Sequence, residues 1–225
     1  MIRRSRRYRR QPAPTASSGI SGPRATQLED GGGPGAFGGV QAGPVVVPGS
    51  YQARFKIGGN EHTIPFEVVP DPRNSATTEE YQAQFDLHSQ VNAKISEVNE
   101  AINKIRRVKA QANSWAERSE DESIKDAAKS LNEKLLEVEG ELTQYRAKSL
   151  QDMLNFPVML DVRWPGSPGY VASAEGQPPQ QAYDVFEELT AETDAALGRV
   201  KQLLDEDVSA FNTQVAESQP AAISV

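Results

Sequence analysis

Cysteine is absent from this chain of 225 residues, and histidine occurs only twice. Without cysteine, neither a disulfide framework nor a thiolate metal site can form. The redox compartment stays open, since a secreted protein need not contain cysteine. No apolar run approaches the ~20 residues of a membrane-spanning helix, and the first residues lack the apolar core of a secretory signal. We therefore expect no membrane span.

Apolar residues are also scarce for a single compact globule. They make up 37% of the chain, and the mean hydropathy is −0.57. Such a composition predicts that part of the chain is disordered. The net charge of −7 is unevenly divided, because residues 1–27 hold seven arginines and no acid while the rest carries 17 basic and 31 acidic residues. The acidic remainder is poorly suited to nucleic acid or an anionic membrane.

Residues 1–43 are predicted to be a disordered tail, arginine-rich at first and then glycine-rich. The basic start, residues 1–10, admits three functional interpretations: a nucleic-acid arm, an organelle transit peptide or a twin-arginine leader. A solvated tail is favoured, since a proline-containing stretch and not an apolar segment follows. Gly33, Gly35 and Gly38 have the spacing of a dinucleotide-binding loop, but no strand precedes them and no cofactor is predicted.

Residues 44–69 alternate apolar and polar side chains as half-buried strands do. Two such runs flank the turn signal Gly58-Gly59-Asn60, which predicts a β-hairpin or the remnant of a partial β-sandwich. Pro65 lies inside the second run and places that strand at an edge or a bulge. An isolated hairpin is marginally stable in water, so this one needs a sheet to pack on.

A helical bundle is predicted over residues 77–217. The prolines of residues 70–76 favour a stiff extended linker in front of it, and residues 218–225 are predicted to be a disordered tail. Thr77 with Glu80 has the spacing of a capping box, which predicts that the first long helix starts there.

Three long helices are predicted from apolar residues that recur every three or four positions. The stripe of the first helix is Tyr81, Phe85, His88, Val91, Ile95, Val98, Ile102, Ile105 and Val108. The stripe of the second helix is Ile124, Ala128, Leu131, Leu135, Val138, Leu142 and Tyr145. The stripe of the last helix, which Pro178-Pro179 opens, is Tyr183, Phe186, Leu189, Thr193, Leu197, Val200, Leu204, Val208, Phe211 and Val215.

The connections are predicted from interruptions of these stripes. The first helix is predicted to break near Asn113–Ser114, and Ser119 with Glu122 predicts a capping box for the second. Because the loop between them is short, the two helices should form an antiparallel pair. Residues 157–181 are ambiguous: Val158-Met159-Leu160 can begin a short third helix with Pro157 at its first position, and Trp164-Pro165-Gly166-Ser167-Pro168-Gly169 would break it. Tyr170-Val171-Ala172 can form another short turn of helix. The fold class is therefore α+β, mainly α: an antiparallel up-down bundle preceded by the hairpin.

No catalytic, cofactor-binding or metal-binding residue is predicted. His62 and His88 lie on different elements, and neither belongs to a Glu-x-x-His or His-Glu-x-x-His motif. His88 falls on the apolar stripe and is expected to be partly buried with one hydrogen bond. Four acids of the last helix are expected to be solubilising charge and not a glycosidase pair: Asp184, Glu187, Glu188 and Glu192. Three aromatic residues are expected to anchor the core or a loop, in preference to forming a surface hot spot: Trp115, Trp164 and Tyr170.

Several short segments follow one another in a characteristic order. Pro48-Gly49-Ser50-Tyr51 leads into the strand pair, Pro70-Asp71-Pro72-Arg73 links it to the helices, and Gln84-Phe85-Asp86-Leu87 opens the first helix. Asn155-Phe156-Pro157-Val158-Met159-Leu160 follows later in the chain. This order, over residues 44–217, resembles the C-terminal region of bacterial and archaeal BNR-repeat glycosyl hydrolases, or sortilin-type β-propeller proteins.

The resemblance implies a small β-sandwich joined to a helical domain, and it implies export. The propeller of those proteins has no counterpart here, so their hydrolase activity is not transferred. The implied function is a non-catalytic structural and interaction module that docks on a propeller, on a sandwich partner or on itself. Two alternatives stay open: a glycoside hydrolase-type enzyme, and a nucleic-acid binder that uses residues 1–10. Because no signal sequence is recognised, the localisation stays open between export, as the resemblance implies, and the cytoplasm.

Overall fold

The structure, a computed structural model, describes residues 21–29, 43–146, 155–171 and 176–218. Within these residues two strands precede four helices: β1 (Gly49–Ile57), β2 (Asn60–Val68), α1 (Thr78–Arg118), α2 (Glu122–Leu142), α3 (Leu160–Val171) and α4 (Gln180–Ser218). The predicted mainly α fold with a small β-hairpin is confirmed. The predictions for the arginine-rich start, the glycine-rich stretch and residues 219–225 lie outside the described residues.

Helix α1 begins at the predicted capping box. The backbone N–H of Glu80 donates to Thr77 Oγ1 at 3.3 Å, and the Glu80 carboxylate accepts from the Thr77 N–H at 2.7 Å. These two bonds satisfy backbone donors that the first turn would otherwise leave unpaired. The predicted break near Asn113–Ser114 is wrong, because α1 continues to Arg118. Neither residue is a strong helix breaker, and Asn113 accepts a hydrogen bond from Asn132 of α2.

Helix α2 starts two residues later than the predicted cap. Asp121 is its N-cap, and its side chain accepts from the Ser123 N–H at 2.8 Å. Ser119 instead closes α1, where its N–H donates to the carbonyl of Trp115. Ser119 has already left the helical conformation, and it lies two positions before Asp121, which occupies the N-cap position of α2. Its hydroxyl accepts from the Asp121 N–H, which ties the two helix ends together.

Helix α3 departs most from the predicted pattern. It starts at Leu160 and not after Pro157, and it continues to Val171 through the segment predicted to break it. The predicted break is therefore wrong. Leu160, Trp164 and Val171 are all buried, so packing at the beginning, middle and end of α3 offsets the poor helix propensity of its prolines and glycines.

The three long helices form an up-down-up bundle. Arg106 of α1 bonds to Glu139 of α2, and Asn113, further along α1, bonds to the earlier residue Asn132, so those helices run antiparallel. Arg199 of α4 reaches Glu141 of α2, and Gln214, further along α4, donates to the Ser123 carbonyl at the start of α2. Helix α4 is therefore antiparallel to α2 and parallel to α1. Helix α2, at 21 residues, is about half as long as α1, at 41. The short α3 packs against α1 and α4 where α2 has ended, so α2 and α3 together cover α1.

The core follows the predicted stripes. The stripe residues of α2 from Ile124 to Leu142 are all buried, and so are those of α1 from His88 to Ile105. On α4 the buried surface is wider than predicted, because Ala196 and Leu203 also join the core. Leu197 and Leu204, the predicted stripe residues next to these two, are only partly buried and pack against the edge of the core.

Candidate protein-interaction site

The hairpin carries its apolar side chains on one face. A two-residue turn at Gly58 and Gly59, with φ of 56° and 85°, has the two left-handed residues of a type I′ turn. The resulting register pairs Tyr51 with Phe66 and Ala53 with Ile64. Because side chains alternate along a strand, these residues share one face. The opposite face pairs Arg54 with Thr63 and Lys56 with Glu61.

The apolar face is open to solvent at its centre. Phe55 is 46% exposed and Ile64 is 56% exposed. Tyr51 and Phe66 stack with ring centroids 5.9 Å apart, and the Tyr51 hydroxyl donates to the Val47 carbonyl at 2.6 Å. One end of the face is therefore organised by local contacts, whereas the centre has no cover among the described residues.

The two edges of the hairpin differ. In a hairpin closed by a two-residue turn, the pair next to the turn is hydrogen-bonded and the following pairs alternate. The pair of Gln52 and Pro65 is therefore not hydrogen-bonded, and the ring nitrogen of Pro65 points away from β1. Pro65 removes one donor from the outer edge of β2 at no cost to the hairpin. The outer edge of β1 has no such interruption.

The hairpin is not supported by a larger sheet. Among the described residues the sheet has two strands, and each strand makes its main contacts with the other. Val45 and Val69, which flank the hairpin, are also exposed. The sequence predicts a hairpin that needs a sheet to pack on, and the described part of the chain provides no such sheet.

A second surface was not predicted from the sequence. Residues 21–29, here called the strap, lie within the tail that was predicted to be disordered, yet they run in extended form along α1. Four side chains of α1 hydrogen-bond to main-chain atoms of the strap: Asn92, Ser96, Asn99 and Asn103. They recur every three or four positions beside the apolar stripe, and three are asparagine, a poor helix former. That recurrence was the signal available in the sequence.

A pocket of about 370 Å³ lies where the strap begins. Pro23 of the strap and Phe85, Ser89 and Asn92 of α1 are among its lining residues. Asn92 is buried, and its Oδ1 has no hydrogen-bond partner in the described structure; the same is true of Ser89 Oγ. Burying a polar atom without a partner is unfavourable, so α1 holds two unsatisfied polar atoms under the start of the strap.

The two histidines lie apart, as predicted. His62 is exposed on the hairpin, opposite Phe55. His88 is buried in α1, and burial lowers the pKa of its imidazole below the ordinary value because it disfavours the charged form. The predicted hydrogen bond is not seen at Nε2, which has no partner among the described residues.

The acids of α4 lie on an exposed surface. Glu192 pairs with Arg163 of α3 at 2.6 Å, and Glu188 lies 3.9 Å from the same guanidinium. Asp184 accepts a hydrogen bond from Gln180, one turn earlier. The pairs with Arg163 link α4 to α3, and the bond from Gln180 to Asp184 lies within the first turns of α4.

The tryptophans anchor the bundle. Trp164 is fully buried, and its Nε1–H donates to Thr193 Oγ1 at 2.8 Å. Phe186 meets the indole edge-on, with ring centroids 5.7 Å apart. Trp115 is half-buried at the edge of the core, under the guanidinium of Arg118. The side chain of Tyr170 lies outside what the structure describes.

Two acids are buried where α1, α2 and α3 meet. Glu139 bonds to Arg106 Nε at 2.8 Å and to Lys109 Nζ at 2.9 Å. Asp161 accepts from the Thr143 hydroxyl at 2.5 Å, while its other oxygen has no partner within the described ranges. Burial raises the pKa of Asp161 to about 6, although the hydrogen bond from Thr143 and the charge of Arg106 act in the opposite direction.

In the part of the chain that the structure describes, no three histidine or acidic side chains converge as metal ligands would. None of the four helices there combines the length and the apolar character needed to cross a bilayer. The resemblance to the C-terminal region of propeller proteins stays a prediction. No protein family, characterised protein or solved structure matches this chain.

Proposed function

We propose that this protein is a non-catalytic interaction module, in which a self-contained helical bundle presents a β-hairpin to a β-sheet protein. The observation that carries the proposal is the one-sided apolar face of the hairpin, open at Phe55 and Ile64. A binary-patterned strand pair gains stability when its apolar face is covered. The bundle, by contrast, already buries its own stripes.

The size of the face indicates what kind of partner covers it. Each strand has nine residues, so the face measures roughly 10 Å by 30 Å, or about 300 Å². A stable protein interface buries about 800 Å² on each side. Two hairpins packed face to face fall short of that area. A partner that also pairs with the free edge of β1 would bury more, because it would add backbone hydrogen bonds and a second row of side chains.

The proposed partner is therefore a β-rich domain that accepts this hairpin as part of its own sandwich. The interrupted edge of β2 and the uninterrupted edge of β1 assign the pairing to β1. This interpretation agrees with the resemblance to a chain end in which a similar strand pair closes a β-sandwich. The charged face, with Arg54 and Glu61 joined at 3.1 Å, would stay in solvent.

The test measures light scattering of the purified chain over a wide concentration range. A second copy offers the same open face, so we expect weak association that rises with concentration. The double variant Phe55→Asp/Ile64→Asp should abolish the association, since each carboxylate would be buried by it. The matched control Thr63→Asp adds a carboxylate to the opposite face and should leave the association unchanged.

A chain that stays strictly monomeric at every concentration while its hairpin remains fully ordered would contradict the proposal. Equal association of the double variant and the Thr63→Asp control would also contradict it, because the apolar face would then play no part.

A further inference from the structure

The contacts between α1 and the strap are made mostly to main-chain atoms. Asn92 and Asn99 donate to the carbonyls of Pro23 and Thr26 at 3.3 and 2.8 Å. Ser96 accepts from the Thr26 N–H at 2.9 Å. The side chains along α1 therefore recognise an extended backbone, whose repeat is the same for most sequences.

Asn103 shows the recognition in its most complete form. Its Nδ2 donates to the Gln27 carbonyl at 3.1 Å, and its Oδ1 accepts from the Glu29 N–H at 3.0 Å. One amide side chain thus bonds the carbonyl of one residue and the N–H of the second residue after it. This is the pairing that a neighbouring strand would offer to an extended segment.

We propose that the asparagine-lined surface of α1 is a peptide-binding groove, and that the strap is its displaceable intramolecular ligand. The chemical class of a competing ligand follows from the strap. It is an extended peptide with an apolar side chain at the position of Leu28, which enters the core, and an acid at the position of Glu29, which pairs with Arg107 at 3.2 Å.

The strap is attached loosely enough to be exchanged. Leu28 is the only one of its side chains in the buried core cluster, and Ala25 packs at the edge. Thr26 and Glu29 are exposed, so their bonds to Glu100 and Arg107 compete with water. Ordering nine residues opposes these few contacts, which places docked and released forms close in free energy.

The groove also contains two polar atoms to which the strap makes no hydrogen bond. Asn92 donates to Pro23 as Asn103 donates to Gln27, yet Asn92 Oδ1 accepts nothing within the described structure. Ser89 Oγ, beside the same pocket, is likewise without a partner there. A peptide that places an N–H group at this position would complete the bond that Asn103 makes, and it would therefore displace the strap.

The experiment uses the full chain and a fluorescent peptide with the sequence of the strap, residues 21–29. Leu28→Asp in the chain should release the strap, because a carboxylate does not enter the core. We expect the released chain to bind the wild-type peptide at least about tenfold more tightly than the native chain does. Thr26→Pro provides a second release variant, since it removes the N–H that Ser96 accepts without adding charge.

Variants in the groove distinguish specific binding of the peptide there from nonspecific binding elsewhere on the chain. In the Leu28→Asp chain, adding Asn103→Leu removes both bonds of that side chain and should weaken peptide binding about tenfold. Lys104→Gln, an exposed change on the adjacent position, should leave the affinity unchanged. Circular dichroism of each variant must match the native spectrum.

The proposal is overturned if both release variants keep native helicity and bind the peptide no more tightly than the native chain. It is also overturned if Asn103→Leu and Lys104→Gln affect binding equally, since the peptide would then bind elsewhere.

Discussion

The bundle and the hairpin have equally regular apolar patterns but opposite outcomes. In the bundle, the stripes of α1, α2 and α4 meet and exclude water, and Ile102, Leu135 and Leu142 are fully buried. In the hairpin, the apolar face is complete but uncovered at Phe55 and Ile64. A pattern therefore predicts which side of an element is apolar, and only the neighbouring elements determine whether that side is buried.

The difference has a simple geometric origin. Two long helices and a shorter one present three stripes that can close on one another, whereas a two-stranded sheet has one face and nothing in the described chain to meet it. Stability should accordingly reside in the bundle, and the capacity to bind another protein should reside in the hairpin.

Removing the bundle anchor should have the largest effect. Trp164→Ala deletes a fully buried indole and leaves the Thr193 hydroxyl without its donor. We expect the free energy of unfolding to fall by about 3–5 kcal/mol, from lost burial and the remaining cavity. Urea denaturation followed by far-UV circular dichroism measures the loss. Val185→Ala, an exposed change on α4, the helix that Trp164 packs against, is the control, and a Trp164→Ala loss as small as that of the control would contradict the assignment of the anchor.

The buried Asp161 should make stability depend on pH. Its folded pKa of about 6 lies above the unfolded value of 3.8, so the folded state holds the proton more tightly. The stabilisation that results from this tighter proton binding is fully present below pH 3.8 and is lost as the pH rises through 6. The free energy of unfolding is therefore about 3 kcal/mol lower at neutral pH than it would be with Asp161 protonated.

Asp161→Asn should remove that dependence. We expect the variant to gain stability relative to the native chain at pH 7 and to show little or no gain at pH 4, as measured by urea denaturation at both values. Asp126→Asn, an exposed acid in α2, serves as the control. A gain of the same size at both pH values would show that titration of Asp161 is not the cause.

Breaking the buried charge cluster should cost less. Glu139→Gln leaves Arg106 and Lys109 without their shared carboxylate, but both cations are partly exposed and regain water. We expect a loss of about 1–3 kcal/mol by thermal or urea unfolding. Glu133→Gln, on the solvent side of α2, should fall within about 0.5 kcal/mol of the native chain. Equal values for the two would mean that Glu139 is not stabilised by its pairing.

The smallest effect should come from the hairpin. Phe55→Ser removes a half-exposed side chain that does not contact the bundle core. We expect the free energy of unfolding to change by less than about 0.5 kcal/mol, because the transition reports the bundle. Tryptophan fluorescence suits this measurement, since both tryptophans lie in helices of the bundle. A loss comparable to that of Glu139→Gln would show that the hairpin supports the bundle.

The sequence predicted the features that depend on local pattern. The stripes identified the long helices, the spacing of Thr77 and Glu80 identified the start of α1, and the double glycine identified the turn of the hairpin. The sequence did not predict the features that depend on contacts between residues far apart in the chain. Helix α3 persists through its prolines and glycines because the buried Trp164 packs on α4, and no local signal records that contact.

The two candidate surfaces were unequally predictable. The alternation in residues 44–69 indicated the apolar face of the hairpin, which the register then confirmed. The groove was missed because polar residues on a helix usually face solvent, and because composition alone assigned the strap to a disordered tail. The candidate surface is recognisable only once the strap is seen to hydrogen-bond to α1, as Glu29 does to Asn103, 74 residues later in the chain.

Amide hydrogen exchange of the chain at a concentration where it is monomeric tests the division between scaffold and binding element most directly. We predict that the core amides of α1 and α2 exchange only through global unfolding, while the amides of β1 and β2 exchange orders of magnitude faster through local opening. Hairpin amides as slow as those of Ile102 and Leu135 would contradict this account, because the hairpin would then be stable without a partner.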